Sequence, residues 1–276
     1  MINGYEIYCC VFTTNLVKNK YFPVSHKAME SWNKFDFVDK IYAFNGDSTD
    51  DTVEKHSDIE KVNFITSPKW NTEEISQDVM VKQYEFCLDF FNNLNRKCIV
   101  FILSSDNIWS EKLGFEILQK TKNLIKSNQY NFFNLPFVKV PTKDVREIKR
   151  NFSSFSIYSA IKFNEEIKWN KIANEIKLSG SQKAKGLVSL WENQMFSYET
   201  WFFTKEDILR KIKIHKEWDE KLSIDDTMKK AYLKKLKMYG KRDMSYSEHP
   251  KEAQELIDIL EEDHLGYSLF GNYIKS

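Results

Sequence analysis

The chain has 276 residues and a net charge of +1, so it is long enough for one large α/β domain and has no global pull towards a polyanion. Apolar residues make up 42% and aromatics 15%, which excludes gross disorder, while eight glycines and five prolines exclude collagen-like or linker-rich organisation. Cys9, Cys10, Cys87 and Cys98 form no C-x-x-C pair and read as buried thiols of a reducing compartment. The opening "MINGYEIYCCVF" lacks the basic and long apolar regions of a signal peptide, and no stretch reaches membrane-span length. The expectation is a soluble, cytoplasmic protein.

The first 110 residues alternate strand and helix patterns. "EIYCCVFT" (6–13) is a compact apolar strand ending in a Thr-Thr-Asn loop, and "FPVSHKAMESWNKF" (22–35) has helical spacing. "DKIYAF" (39–44) is a second strand, closed by the polar run "NGDSTDDT" (45–52), and "KVNFIT" (61–66) is a third. "SQDVMVKQYEFCLDFFNNL" (76–94) reads as a helix with Ser76 and Asp78 at its start. "KCIVFIL" (97–103) is the strongest strand signal and stops abruptly at "SSDN". Such alternation predicts βαβ crossovers and a mostly parallel sheet, which takes ligands beyond the carboxyl ends of its strands. "NGDSTDDT" and "SSDN" both fall at such ends.

Farther on, "KLGFEILQKTKNLIK" (112–126) is an amphipathic helix. "YNFFNLPFVKV" and "FSSFSIYSAIKF" read as strands of an antiparallel extension, and residues 204–264 as a mostly helical, lysine-rich tail. As bare chemistry, "NGDSTDDT" is a turn whose Ser, Thr and Asp oxygens cap a following helix. Its position also allows an amide or carboxylate to meet a nucleobase or a ribose hydroxyl.

The strand–"NGDSTDDT"–helix segment resembles the "D-G/D-x-S-T-D-x-T" segment of the family-two-like GT-A glycosyltransferases. In order along the chain, "VFTTNLVKNKYFPVSHKAMESW" resembles their first strand, loop and helix, and "KCIVFILSSDNIWSEK" the strand ending in the "D-x-D-E" metal and diphosphate motif. "ETWFFTKEDILRKIKIHKEWD" and "YSEHPKEA" resemble two later elements. The resemblance implies a GT-A-like (Rossmann-like), mostly parallel sheet flanked by helices, with a helical C-terminal extension. It implies a nucleotide-sugar-binding and catalytic domain over 1–203, with 204–276 packed on it, and inverting transfer from a nucleotide-sugar, most often UDP-linked. By the same resemblance Thr13, Asn45, Asp47 and Ser105 contact the nucleotide, and Asp106 holds a divalent cation, Mg²⁺ or Mn²⁺, and takes part in catalysis; Lys82 joins the nucleotide contacts for its place near a sheet-end loop.

The departures are specific. Asn45 stands where an acid is expected, Ser104 replaces the first acid of the metal motif, Asn107 replaces the acid after Asp106, and Tyr198 takes a histidine position. Mg²⁺ manages with one or two carboxylates when phosphates and water complete its octahedron, so Asp106 alone can serve once a donor is bound. Lys18, Lys69 and Lys82, near the sheet-end loops, offer counter-charge without a metal. A protein that binds nucleotide-sugar without turnover and a sugar nucleotidyltransferase remain as alternatives; the latter ordinarily has a Gly-rich phosphate loop, and "FTTNLVKNK" has no glycine.

For the general base the candidates are Glu192, Glu199 and the pair Asp225 and Asp226, with Glu192 favoured for its place in the aromatic stretch "SLWENQMFSYETWFF". The segment "TMKKAYLKKLKMYGKR" (227–242) carries seven basic residues and no acid. It reads as a solvated helix face, or as a surface for an anionic membrane or for nucleic-acid phosphate. The acceptor is accordingly open between a glycan, a lipid-linked glycan and a modified nucleic acid, with peripheral contact at the inner membrane surface as one setting. The five histidines show no metal spacing, and His249 in "SEHP" reads as structural.

Overall fold

A computed structural model describes residues 1–18, 21–70, 77–127, 132–133, 137–140, 150–151, 160–163, 169–172, 175–178, 186–187 and 195–198. The elements are β1 (Glu6–Thr13), α1 (Phe22–Asn33), β2 (Lys40–Asn45), β3 (Val62–Thr66), α2 (Gln77–Asn93), β4 (Cys98–Leu103), β5 (Asn107–Ile108) and α3 (Glu111–Lys126). Then come β6 (Phe132–Phe133), β7 (Phe137–Val140), β8 (Arg150–Asn151), β9 (Ala160–Phe163), β10 (Trp169–Ile172), β11 (Glu175–Leu178), β12 (Gly186–Leu187) and β13 (Met195–Tyr198).

The main sheet has the order β12-β6-β9-β4-β1-β2-β3. β4, β1, β2 and β3 run parallel, while β9 is antiparallel to both β4 and β6. This is a GT-A-like α/β fold. The predicted antiparallel extension is present in β6 and β9, but β7 leaves it for a second sheet of order β5-β13-β7-β8.

Both faces of the parallel core are covered, which is why β1 and β4 read as unbroken apolar runs rather than alternating ones. Along β1, Ile7, Cys9 and Val11 pack with Val24, Ala28, Met29 and Trp32 of α1 and Leu113, Ile117 and Leu124 of α3. Tyr8 and Cys10 face the other way, onto Tyr84, Cys87, Leu88 and Phe91 of α2. The four cysteines are buried and unbridged, as expected, and burial raises the Cys98 thiol to about 12. Ser110 caps α3 by accepting the Leu113 N–H at 3.2 Å. The far end of α3 is closed by buried Lys162, whose Nζ donates to the carbonyls of Leu124 at 3.1 Å and Ser127 at 2.5 Å.

Among the described residues, no helix is long and apolar enough to cross a membrane. The proposed helical extension, the basic segment 227–242, Glu192, Glu199, Asp225, Asp226 and His249 lie outside the described residues.

Candidate active site

The chain runs outward through β1, β2 and β3, then returns to the other side of β1 as β4. That reversal makes β1 and β4 the switch point of the sheet, and sheets of this kind take ligands in the crevice beyond the carboxyl ends of such strands. Thr13, Asn45 and Thr66 end their strands level in one row. β4 stops two residues lower, since Leu103 pairs with Val11, so the "SSDN" turn begins beside the last residues of β1.

"NGDSTDDT" does not cap a helix, and here the structure corrects the local reading. The next element is one three-residue 3-10 turn at Glu54–His56, whose cap residue Val53 makes no side-chain cap bond. The polar side chains instead satisfy the backbone of the β1 loop. Ser48 Oγ accepts the Asn15 N–H at 2.9 Å, Thr52 Oγ1 accepts the Leu16 N–H at 2.8 Å, and Asp50 accepts the Lys18 N–H at 2.7 Å. In return Asn15 Oδ1 accepts the Thr49 N–H at 2.8 Å, and the Thr14 hydroxyl reaches the Gly46 carbonyl at 3.2 Å. Asn15 and Asp47 adopt left-handed backbone, φ 46° and 57°, a conformation that Asn and Asp tolerate better than most residues. The two loops are thus stitched into one unit, and three N–H groups after β1 are already committed.

Buried His56 fastens this unit to α1. Its Nδ1 donates to the Thr52 carbonyl at 2.6 Å, leaving Nε2 to accept from the Ser25 hydroxyl at 2.9 Å. Burial holds the His56 imidazole below its ordinary pKa, so the neutral ring assumed in that pairing is the favoured form. For Asp50, burial acts upward, but the Lys18 N–H and the Thr52 hydroxyl and N–H outweigh it and hold the carboxyl below the ordinary aspartate value.

The predicted site residues occupy different settings. Thr13 is buried, its hydroxyl 3.5 Å from the Phe44 carbonyl. Asn45 is half-buried, and its Oδ1 accepts the Ser48 hydroxyl at 2.5 Å. Asp47 lies at the rim, 3.6 Å from Lys69 of the loop after β3, with the side chains 43% and 84% exposed. An ion pair so open to water contributes little, about 0–1 kcal/mol, and leaves both charges accessible to a ligand. Lys82 is exposed on α2, and Lys18 is exposed beyond the β1 loop. Ser105 and Asp106 are half-buried in the turn closed by the Asn107 N–H on the Ser104 carbonyl at 3.0 Å.

Asn107, in the place of an expected acid, is a structural residue. Its Oδ1 accepts the Ser104 N–H at 2.9 Å and its carbonyl accepts Trp32 Nε1 at 2.7 Å. Asp106 is therefore the one carboxylate of this turn, and the described residues hold no group of three His, Cys, Asp or Glu fit for a metal. The donor set suits a Mg²⁺ or Mn²⁺ that arrives with a diphosphate, not one held by the protein beforehand.

The second sheet carries a residue that sequence alone could only align. Ser197 pairs with Asn107, so β13 brings the backbone of Tyr198 alongside the "SSDN" turn. Sequence reading missed Ser67, Trp70 and Gln83, which tie the loop after β3 to the end of β2 and to α2. Gln83 Nε2 donates to the Pro68 carbonyl at 2.5 Å, Trp70 N donates to the Gly46 carbonyl at 3.3 Å, and the Phe12 ring lies 5.9 Å from Trp70 and 4.9 Å from Tyr84. A signal was available in "SPKW", a polar turn ending in an aromatic at a strand's carboxyl end.

No family model matches the chain, and no curated protein matches it. Among solved structures it is similar to S. aureus TarS (1–349), at 15% identity and a TM-score of 0.44, over 80% of this chain and 68% of that one. It is also similar to glucosyl-3-phosphoglycerate synthase from Mycobacterium tuberculosis in complex with Mn²⁺, UDP and glucosyl-3-phosphoglycerate. That likeness has 14% identity and a TM-score of 0.34, over 49% of this chain and 44% of the synthase. The chain thus spans about two thirds of the first and less than half of the second. The overlap is partial in both, and neither likeness decides the function.

Proposed function

We propose that the crevice between β1 and β4 binds a nucleotide-sugar and that the protein transfers the sugar to an acceptor with inversion. The observation that carries this reading is the stitched unit of the loops after β1 and β2, set level with the strand ends beside the Asp106 turn. It is a preorganised polar rim at the switch point of a parallel sheet, where such folds take ligands. UDP is the preferred nucleotide. Asp47 holds the nucleoside, with Lys69 restraining it from the other side.

Breaking the sugar–phosphate bond leaves extra negative charge on the departing diphosphate. A divalent cation bound with the donor would stabilise that charge as a Lewis acid, and Asp106 is the carboxylate placed to hold it. Ser105 lies in the same turn, Lys82 supplies positive charge from α2, and Glu192 is the proposed base that takes the acceptor hydroxyl's proton. The three committed N–H groups of Asn15, Leu16 and Lys18 weigh against a nucleotidyltransferase, whose phosphate cradle would need them.

One alternative has an observation of its own. A single carboxylate and a structurally engaged Asn107 suit a protein that binds nucleotide-sugar without turnover. The test is release of UDP from UDP-sugars with Mn²⁺ present, in the native protein and in Asp106→Asn. Release that falls at least about a hundredfold in the variant supports the transferase. Donor binding without release in either protein supports the binding module.

A further inference from the structure

Two consecutive side chains of α1, a helix that carries none of the predicted ligands, grip the segment that carries Asp106. The Trp32 indole Nε1–H donates to the Asn107 carbonyl at 2.7 Å, and the Ser31 hydroxyl oxygen accepts the Trp109 N–H at 3.0 Å. Ser31 spends its own proton on the Ala28 carbonyl at 2.6 Å, which leaves its oxygen as the acceptor. Ser31, Trp32, Asn107 and Trp109 are all buried. Buried backbone groups need partners, and the chain leaving the turn after β4 finds these two on a helix rather than on a strand.

Holding Asn107 holds Asp106. Asn107 takes both backbone groups of Ser104: its N–H donates to the Ser104 carbonyl at 3.0 Å, and its Oδ1 accepts the Ser104 N–H at 2.9 Å. Ser105 and Asp106 lie between those two residues, so the turn goes where its ends go. One end continues from β4, which is paired with β1 in the sheet. The other end has Ser197 of β13 opposite Asn107 as its strand partner, and Trp32 and Ser31 as its ties to α1. With Asp106 as the one carboxylate of the turn, the grip on a cation and its diphosphate depends on where that single group stands. Outer partners that orient a ligand matter most in such a case.

We infer that Trp32 is a positioning residue for the proposed transfer: through the Asn107 carbonyl it sets where Asp106 meets the cation and diphosphate of the donor, and Ser31 assists through Trp109. This rests on the proposed nucleotide-sugar site. Trp32 lies in the core beside Trp109, ring centroids 6.3 Å apart, and acts through Asn107. The competing role is packing alone. Ile117 of α3 belongs to the same core and has no side-chain polar atom to bond the turn, so it separates the two roles.

The experiment is calorimetric titration of the full chain with UDP, in EDTA and in Mn²⁺. It compares the native protein, Trp32→Phe, Ser31→Ala and Ile117→Val, with thermal unfolding to show that each variant is folded. Trp32→Phe keeps an aromatic ring in the core and removes the N–H. Losing an outer partner of a metal ligand costs about 10–100-fold, so the gain in UDP affinity given by Mn²⁺ should fall about tenfold in Trp32→Phe, with affinity in EDTA kept within about twofold. Ser31→Ala should lose part of the gain, and Ile117→Val none. An undiminished gain in Trp32→Phe, or an equal loss in Ile117→Val, would make Trp32 a packing residue and overturn the inference while the nucleotide site stands. If Trp32→Phe does not fold, Ser31→Ala decides, and an undiminished gain there overturns the inference. UDP binding that Mn²⁺ leaves unchanged in the native protein would remove the cation and the inference with it. No UDP binding in either condition would remove the nucleotide site itself.

Discussion

The backbone N–H of Leu16 donates to the hydroxyl of Thr52, 36 residues away, at 2.8 Å in a buried position. That bond, with its neighbours from Ser48 and Asp50, makes the loops after β1 and β2 a single body. Thr52→Val keeps the shape and removes the acceptor. Leaving a buried N–H unpaired should cost about 1–3 kcal/mol, a fall of several degrees in the unfolding midpoint, and calorimetry of the variant would check it. A variant as stable as the native protein would mean that the loops are not held this way.

His56 gives the same unit a pH dependence. Its folded pKa is lowered by burial, so below the ordinary value of 6.5 the unfolded chain binds the proton and the folded one resists it. Stability from this group is full above about pH 6.5 and is lost as pH falls from there towards the folded pKa. His56→Gln should flatten that part of the profile. Unfolding midpoints at pH 7.5 and 5.5 give the comparison, and an unchanged slope in the variant would place the pH dependence elsewhere.

Gly46 sits where a side chain has no room. A Cβ there would lie 2.5 Å from Trp70 Cβ and 2.9 Å from its backbone nitrogen. Gly46→Ala should push the Ser67–Trp70 loop outward, cost about 1–3 kcal/mol and change the Trp70 fluorescence environment. Retention of native stability would show that this loop yields freely.

The lone Asp106 sets a metal dependence that differs from a prebuilt site. Without nucleotide the protein should bind Mn²⁺ weakly or not at all by titration, and nucleoside diphosphate should raise that affinity by about tenfold or more. Asp106→Asn should abolish the gain. Tight Mn²⁺ binding by the protein alone would point to ligands beyond this turn.

Much of the fold was legible because local pattern and tertiary role agree in residues 1–127. The apolar runs at 6–13 and 97–103 are buried on both faces, and the helical spacing of Val24, Ala28, Met29 and Trp32 matches the face that meets the sheet. The locations of "NGDSTDDT" and "SSDN" at strand ends were equally readable. The partners of their side chains were not. Ser, Thr and Asp satisfy any nearby N–H, and only the parallel pairing of β1 with β2 brings the loop after β1 closer than a following helix. Asn107 misleads for the same reason: its type suggests a weakened ligand, whereas its contacts close a turn. The bond from Gln83 to the Pro68 carbonyl depends on α2 packing beside the loop after β3, a contact that no local spacing encodes.

Whether the crevice binds a nucleoside diphosphate is decided by the thermal unfolding midpoint of the full chain with UDP, GDP, CDP and TDP, each in EDTA and in Mn²⁺. A ligand that binds only the folded state raises the midpoint by mass action. The midpoint should rise with UDP, rise further in Mn²⁺, and respond less in Asp47→Ala and Asp106→Ala. An unmoved midpoint with every nucleotide in both conditions would contradict the proposed site, and would leave the stitched loops as structure alone.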